Sequence, residues 1–209
     1  MTNPKFWLLK PWIKISLRVL GTLLLVWGGL TLWVEQERPA PVEEFQANAA
    51  AGRALVLYNP DPIYDLDRQV AMAFASTLNA QGWEVSVASP GGVGEGPDTG
   101  YELCVFIANT YNWAPDRPTL RYIRKAAWLE GKPVVAITLG SGSTTRSKRL
   151  LEAALREKGT RLLASETYWL LRPNDESRME EPNVQVALEK TRRLALEAAA
   201  DLPAINKGK

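Results

Sequence analysis

The chain contains no histidine. That removes the commonest general base and the commonest side-chain metal ligand. It also excludes any Ser–His–Asp or Cys–His catalytic arrangement. Cysteine occurs once, at Cys104, so no disulfide can close within the chain. Cys104 sits inside an apolar stretch, where a buried, inert thiol is expected rather than a nucleophile. Net charge is low as well, +2 over 209 residues. A nearly neutral chain gives no electrostatic ground for binding nucleic acid. What charge there is lies unevenly. Residues 1–34 hold Lys5, Lys10, Lys14 and Arg18 and no acid, so the remainder is net acidic.

Charge is missing altogether from Val19 to Val34 (VLGTLLLVWGGLTLWV). As a helix this run rises about 24 Å. A hydrocarbon core is roughly 30 Å thick, and Leu17 with a snorkelling Arg18 closes the gap. Trp27 and Trp33, with Trp7 and Trp12 upstream, suit interfacial anchoring. A transmembrane helix over 19–34 is therefore expected. The basic flank precedes it, and Glu35 and Glu37 follow. The positive-inside rule then places residues 1–18 in the cytosol and the rest outside. The nearest small-x-small cleavage site, Ala47-Asn48-Ala49, lies far beyond the apolar run, so an uncleaved anchor is expected rather than a signal peptide. Residues 35–52 are rich in Pro, Glu and Ala without periodicity and read as a linker.

From residue 53 the apolar pattern switches period repeatedly. Arg53 to Tyr58 predicts a strand, and Leu66 to Gln81 a helix stopped by Gly82. Trp83 to Ala88 predicts a second strand. Ser89 to Gly100 holds five glycines and reads as a loop. It lacks the strand–turn–helix setting and the GK[ST] ending of a phosphate loop. Leu103 to Ala108 is a nearly continuous apolar run, as in a strand buried on both faces. It ends on Asn109, Thr110, Tyr111, Asn112 and Trp113. A helix over 115–129, a strand over 133–139, a helix over 144–158, a strand within 161–171 and a helix over 183–200 follow. Strands alternating with helices imply a parallel sheet with right-handed crossovers and helices on both faces. Ligands of such sheets bind beyond the carboxyl ends of the central strands.

RALVLY, QVAMAFASTLNAQGWEV, YELCVFIANTYNW, EGKPVVAITLGSGS and LLEAALREKGTRLL together resemble the flavodoxin-like family, in the form of a bacterial flavodoxin-domain protein with an N-terminal membrane anchor. The resemblance covers about residues 53–200. It implies an α/β three-layer sandwich over 53–202, with a five-stranded parallel sheet in the order 2-1-3-4-5 and a tail over 203–209. It also implies FMN held by three loops, and electron transfer to a redox protein or quinone at the membrane. The implied FMN contacts are Asn59 and Asp61 in the first loop, Thr110, Tyr111, Asn112 and Trp113 in the second, and Gly140, Ser141 and Gly142 in the third. Tyr111 and Trp113 could stack on a planar ring, or pack on neighbouring loops. The small residues of 140–144 permit close approach to a ligand, or form a turn in which Ser143 or Thr144 caps the next helix.

The first loop departs from the family pattern. Phosphate cradles use Ser, Thr and Gly around backbone N–H groups. Asn59-Pro60-Asp61-Pro62-Ile63-Tyr64-Asp65-Leu66-Asp67 has none of these, and its prolines remove two N–H donors. Three aspartates would repel a phosphate, with Arg68 the nearest compensating cation. Two readings follow: an electron carrier with an unusual phosphate site, or a flavodoxin-like scaffold that has lost FMN and serves as an interaction module. Asp61, Asp65 and Asp67 as acid or base in a hydrolase or transferase form a third, with no substrate indicated.

Overall fold

The computed structural model describes residues 10–48, 50–93 and 100–202. Ala49, Gly94, Gly96 and the tail over 203–209 lie outside these, as do Lys5 and Trp7.

The chain divides into two units, residues 1–35 and 36–209. In the first, the apolar run extends into one helix, α1 (Pro11–Val34), with no buried residue. It has 24 residues, and an 18-residue stretch of it has a mean hydropathy of 1.7, long and apolar enough to cross a membrane. A signal sequence has the same character. The helix begins earlier than the uncharged run because Pro11 fits its first position and Lys14 and Arg18 do not break its spacing.

The second unit is built around one sheet. Its elements are β1 (Glu43–Phe45), β2 (Gly52–Tyr58), α2 (Leu66–Ala80), β3 (Trp83–Ala88), α3 (Pro90–Val93), β4 (Leu103–Tyr111), β5 (Ala114–Pro115), α4 (Arg117–Lys125), β6 (Pro133–Gly140), α5 (Thr145–Glu157), β7 (Arg161–Trp169) and α6 (Asn183–Ala200). The parallel strands run β3-β2-β4-β6-β7. Counted among themselves, this is the order 2-1-3-4-5. Alternate residues of β2 face opposite sides. Ala54, Val56 and Tyr58 pack under α2 and α6. Leu55 and Leu57 join Ile123 of α4 and Leu151 of α5. Three layers result. Cys104 is fully buried in the second of these cores.

Two additions modify the expected sheet. Within the stretch read as a linker, β1 pairs antiparallel with β3, Glu43 opposite Val87 and Phe45 opposite Val85. An otherwise open edge is thereby covered. And β4 does not stop at the edge of the core. It continues to Tyr111 and turns back as β5, Thr110 opposite Pro115. The glycine-containing crossover after β3 begins as the single turn α3. The helix expected over 115–129 ends at Lys125 and continues as a 3₁₀ turn, Ala127–Leu129. Gly82, Gly131 and Gly159 take positive φ where helices or turns end, as the stop signals at Gly82 and Gly159 anticipated.

Candidate functional site

The carboxyl ends of β2, β4 and β6 bring three loops together. The first leaves β2 at Asn59, which is almost fully buried. Its Oδ1 accepts the Arg38 backbone N–H at 3.0 Å, and its Nδ2 donates to the Gln36 carbonyl at 3.2 Å. Asn59 thus fixes the segment entering the domain. Asp61 folds the loop on itself. Its Oδ1 accepts the N–H groups of Ile63 (2.7 Å) and Tyr64 (2.9 Å), and its Oδ2 accepts the Tyr111 hydroxyl (2.5 Å). Asp67, buried in the first turn of α2, accepts the Asp61 N–H at 2.6 Å, the Arg68 N–H at 2.7 Å and the Asn109 side-chain amide at 2.9 Å. Asp65 stands at the N-cap of α2 without a side-chain capping bond.

The second loop is the β4–β5 hairpin. Asn112 and Trp113 occupy its tip with φ of 49° and 59°. A two-residue hairpin turn with both central φ positive matches the twist of its strands. Asn tolerates that region, whereas a bulky side chain there costs roughly 1–2 kcal/mol. The hairpin base pays for this tip. Asp116 Oδ2 accepts the Asn109 N–H at 3.0 Å, its Oδ1 accepts the Thr119 N–H at 2.9 Å, and its own N–H donates to the Asn109 carbonyl at 2.8 Å. One buried carboxylate therefore closes the hairpin and caps α4. Trp113 is left 58 % exposed.

The third loop follows β6. A Cβ on Gly140 would lie 2.5 Å from the Thr144 methyl and 3.2 Å from Thr110 Cβ. Only glycine permits that approach, which brings the third loop against the hairpin. Thr144 holds the N-cap position of α5 but makes no capping bond. Its hydroxyl instead accepts the Trp169 indole N–H at 2.8 Å. Thr110 donates to the Ser147 hydroxyl at 2.9 Å.

Two clefts open between these loops and adjoin at Thr110 and Ser141. One, about 240 Å³, lies between Asn112 and Trp113 on one side and Ser141, Gly142, Ser143 and Thr144 on the other. The other, about 190 Å³, is walled by Asp61, Tyr64, Tyr111, Gly140, Ser141 and Leu170. Small-molecule sites start at about 300 Å³, so the two together have the scale of one ligand. A further cleft of about 270 Å³ lies beside α3 and α4, and the Arg121–Glu37 ion pair at 3.2 Å forms part of its wall.

The electrostatics of the main site follow from burial. Asp116 is pushed up to about 7 by burial, against the pull of its N–H bonds from Thr119 and Asn109. Asp67 rises for the same reason, with the Asn109 amide opposing. The Tyr111 phenol is raised by burial and then by Asp61, so it keeps its proton and donates a hydrogen bond to that carboxylate. The Cys104 thiol, pushed up to about 12 by burial, supplies no thiolate.

All nine residues expected at the site lie along this one edge, but in different roles. Asn59 and Asp61 are committed to bonds within the protein. Tyr111 stands in the wall, tied to Asp61. Thr110, Gly140, Ser141 and Gly142 form the floor and one flank, and Asn112 and Trp113 the other flank. Tyr64, Asn109 and Leu139, within the three expected loop stretches, belong to the same edge, and so do Asp116 and Leu170, which were not anticipated. Asp116 carried a signal, an aspartate two residues before a proline in a helix start. Leu170 carried none.

No protein-family model matches the chain, and no curated protein matches it. Solved structures do. A flavodoxin from the domain Archaea superposes with a TM-score of 0.56 at 16% identity, covering 71% of this chain and 96% of that one. A Streptococcus pneumonia flavodoxin gives 0.54 at 15% identity, covering 72% and 99%. Rubredoxin oxygen:oxidoreductase from Desulfovibrio gigas gives 0.57 at 14% identity, covering 73% of this chain and 36% of that one. At such identities the likeness is one of fold: the α/β unit has a flavodoxin-like fold.

Proposed function

We propose that this flavodoxin-like domain binds a flavin between the β4–β5 hairpin and the 140–144 turn and works as a membrane-anchored electron carrier. The observation that carries the reading is the paired flank of that cleft. An exposed indole, Trp113, is held in a costly backbone conformation opposite a turn that Gly140 lets approach. Strain of this kind concentrates at functional sites, and an aromatic side chain across a cleft from a turn of small residues suits a planar ring. FMN is the first flavin to test. Trp113, Asn112 and residues 141–144 would hold its ring. The flavin would supply the redox chemistry, and the protein its position and electrostatic surroundings. The first loop does not fit the phosphate in the usual manner, since its N–H groups already bond to carboxylates.

In this proposal α1 is the anchor, spanning with residues 1–18 cytosolic and the domain outside, and the electron partner is a membrane redox protein or a quinone. The second reading, an interaction module without flavin, draws its support from the same first loop. Titration of the full chain in detergent with FMN and with riboflavin separates the two readings. Flavin fluorescence should quench and saturate near one equivalent with at least one of them. Absence of quenching with both would overturn the carrier reading in favour of the module.

A further inference from the structure

We propose that the first loop excludes a phosphate, so that the site takes flavin by its ring alone and holds riboflavin, the same ring on an uncharged side chain, more tightly than FMN. This rests on the flavin reading above. Three observations converge on it.

From residue 60 to residue 64 the loop offers no free donor. A phosphate cradle is made of backbone N–H groups at a helix start. Pro60 and Pro62 have none. The N–H of Asp61 bonds to Asp67, and those of Ile63 and Tyr64 bond to Asp61. Every residue from 60 to 64 is thereby accounted for. The Asp61 carboxylate sits where these amides converge, so the loop carries its own anion.

The compensating charge is engaged as well. Arg68, the cation next to the loop, donates to Glu43 Oε1 at 3.0 Å. That glutamate belongs to β1, the strand added at the sheet edge. Arg38, the other arginine near the loop, turns its guanidinium to the Gln36 carbonyl at 3.3 Å. Asp61, Asp65 and Asp67 thus lie within seven residues of chain, and the neighbouring guanidinium is ion-paired away.

The geometry is also locked from the far side. Asp61 Oδ2 accepts the Tyr111 hydroxyl at 2.5 Å, so moving the carboxylate aside for a phosphate would break a bond to the hairpin that forms the ring site. This contact ties the loop to the ring cleft. A neutral hydroxylated chain can lie along such a loop, donating to its carboxylates, where a dianion cannot.

The test is a pair of fluorescence-quenching titrations of the full chain in detergent, with riboflavin and with FMN, at about 20 mM and about 500 mM salt. At low salt riboflavin should bind roughly fivefold more tightly, the scale of one like-charge contact near 4 Å across water. At high salt the gap should narrow as screening shortens to a few ångströms, with the riboflavin constant unchanged. Asp61→Asn keeps an oxygen for the Ile63 and Tyr64 N–H groups and removes the charge. It should tighten FMN severalfold relative to riboflavin, so that the ratio of the two constants falls. Asp65→Asn, at an exposed residue with no capping bond, should move the same way without risk to the fold. FMN binding tenfold more tightly than riboflavin would overturn the exclusion and leave the carrier reading standing. Quenching by neither flavin would overturn both.

Discussion

Trp113 is where local cost and candidate function meet. Its φ of 59° belongs to the region that a two-residue hairpin demands and that glycine fills best. Replacing it with glycine should relieve roughly 1 kcal/mol of backbone strain. For a domain of this size that is a rise in Tm of about 2–4 °C. The same change removes the indole from the cleft, so flavin quenching should be lost. Thermal melts beside a flavin titration would read both. A lower Tm would show that the indole packs as part of the fold rather than waiting for a ligand. Asp116 presents a different balance. It closes the hairpin and caps α4, yet burial holds it at about 7 against an ordinary value of 3.8. Its protonated form is therefore favoured in the folded chain over a range where the unfolded chain has released its proton. Its contribution to stability is fullest below pH 3.8 and is lost as pH rises through about 7. The whole span is on the order of 4 kcal/mol. Asp116→Asn does not titrate and should cost a fixed amount, since its amide nitrogen cannot accept one of the two N–H groups. Melting both proteins from pH 4 to pH 8 should show the variant's deficit shrinking steadily. A deficit constant with pH would mean that Asp116 ionises in the folded state as it does in water.

At the scale of elements, legibility follows how much of an element's information is local. Strand β4 announced itself because Leu103 to Ala108 is apolar on both faces, and a strand buried on both faces has no other composition available. Helix α6 was bounded correctly because its apolar spacing is long and regular. Strand β1 was not visible. Glu43-Glu44-Phe45 is three residues with no period, and its conformation is imposed by the unpaired edge of β3 rather than by its own side chains. The hairpin was hidden for a related reason. A turn through Asn-Trp has half of the usual Asn-Gly signal, and Pro115 argues against a strand unless that strand is an edge. The loops of the site were placed by their position after strands, but the roles of Asn59 and Asp61 were not. The side-chain partners of Asn59 lie 21 and 23 residues upstream, at Arg38 and Gln36, and that of Asp61 lies 50 residues on, at Tyr111. If β1 is part of the domain's stability, removing residues 36–51 should expose the β3 edge and break the bonds from Arg38 to Asn59 and from Ala40 to Ser89. A few lost hydrogen bonds at about 1 kcal/mol each predict a Tm lower by roughly 6–12 °C and a tendency to associate through the edge. An unchanged melt would return that stretch to the status of a linker.

For the whole molecule, the two units answer to different solvents. Residues 36–202 bury continuous apolar cores on both faces of their sheet. Helix α1 does the opposite: its leucines and tryptophans are exposed along the whole length, with Leu25 at 78 % and Trp12 at 63 %. A helix apolar on all sides is not stable in water as an isolated element. The uncharged run after Arg18 rises about 24 Å, and Leu17 with a snorkelling Arg18 brings it close to the roughly 30 Å of a hydrocarbon core. In the anchored reading lipid would satisfy it, because every backbone N–H and C=O beyond the first and last turns is bonded within the helix. In that reading the basic residues up to Arg18 and the acidic ones after the helix would set a direction. The expected outcome is that the full chain stays with the membrane fraction through alkaline extraction. A chain beginning at Gln36 should be soluble and melt as the anchored protein does. Added protease should reach the domain in spheroplasts while sparing the first residues. Recovery of a soluble native protein that starts beyond α1 would make the helix a signal sequence and remove the membrane from the proposed electron path, while leaving the cleft and its selection among flavins unaffected.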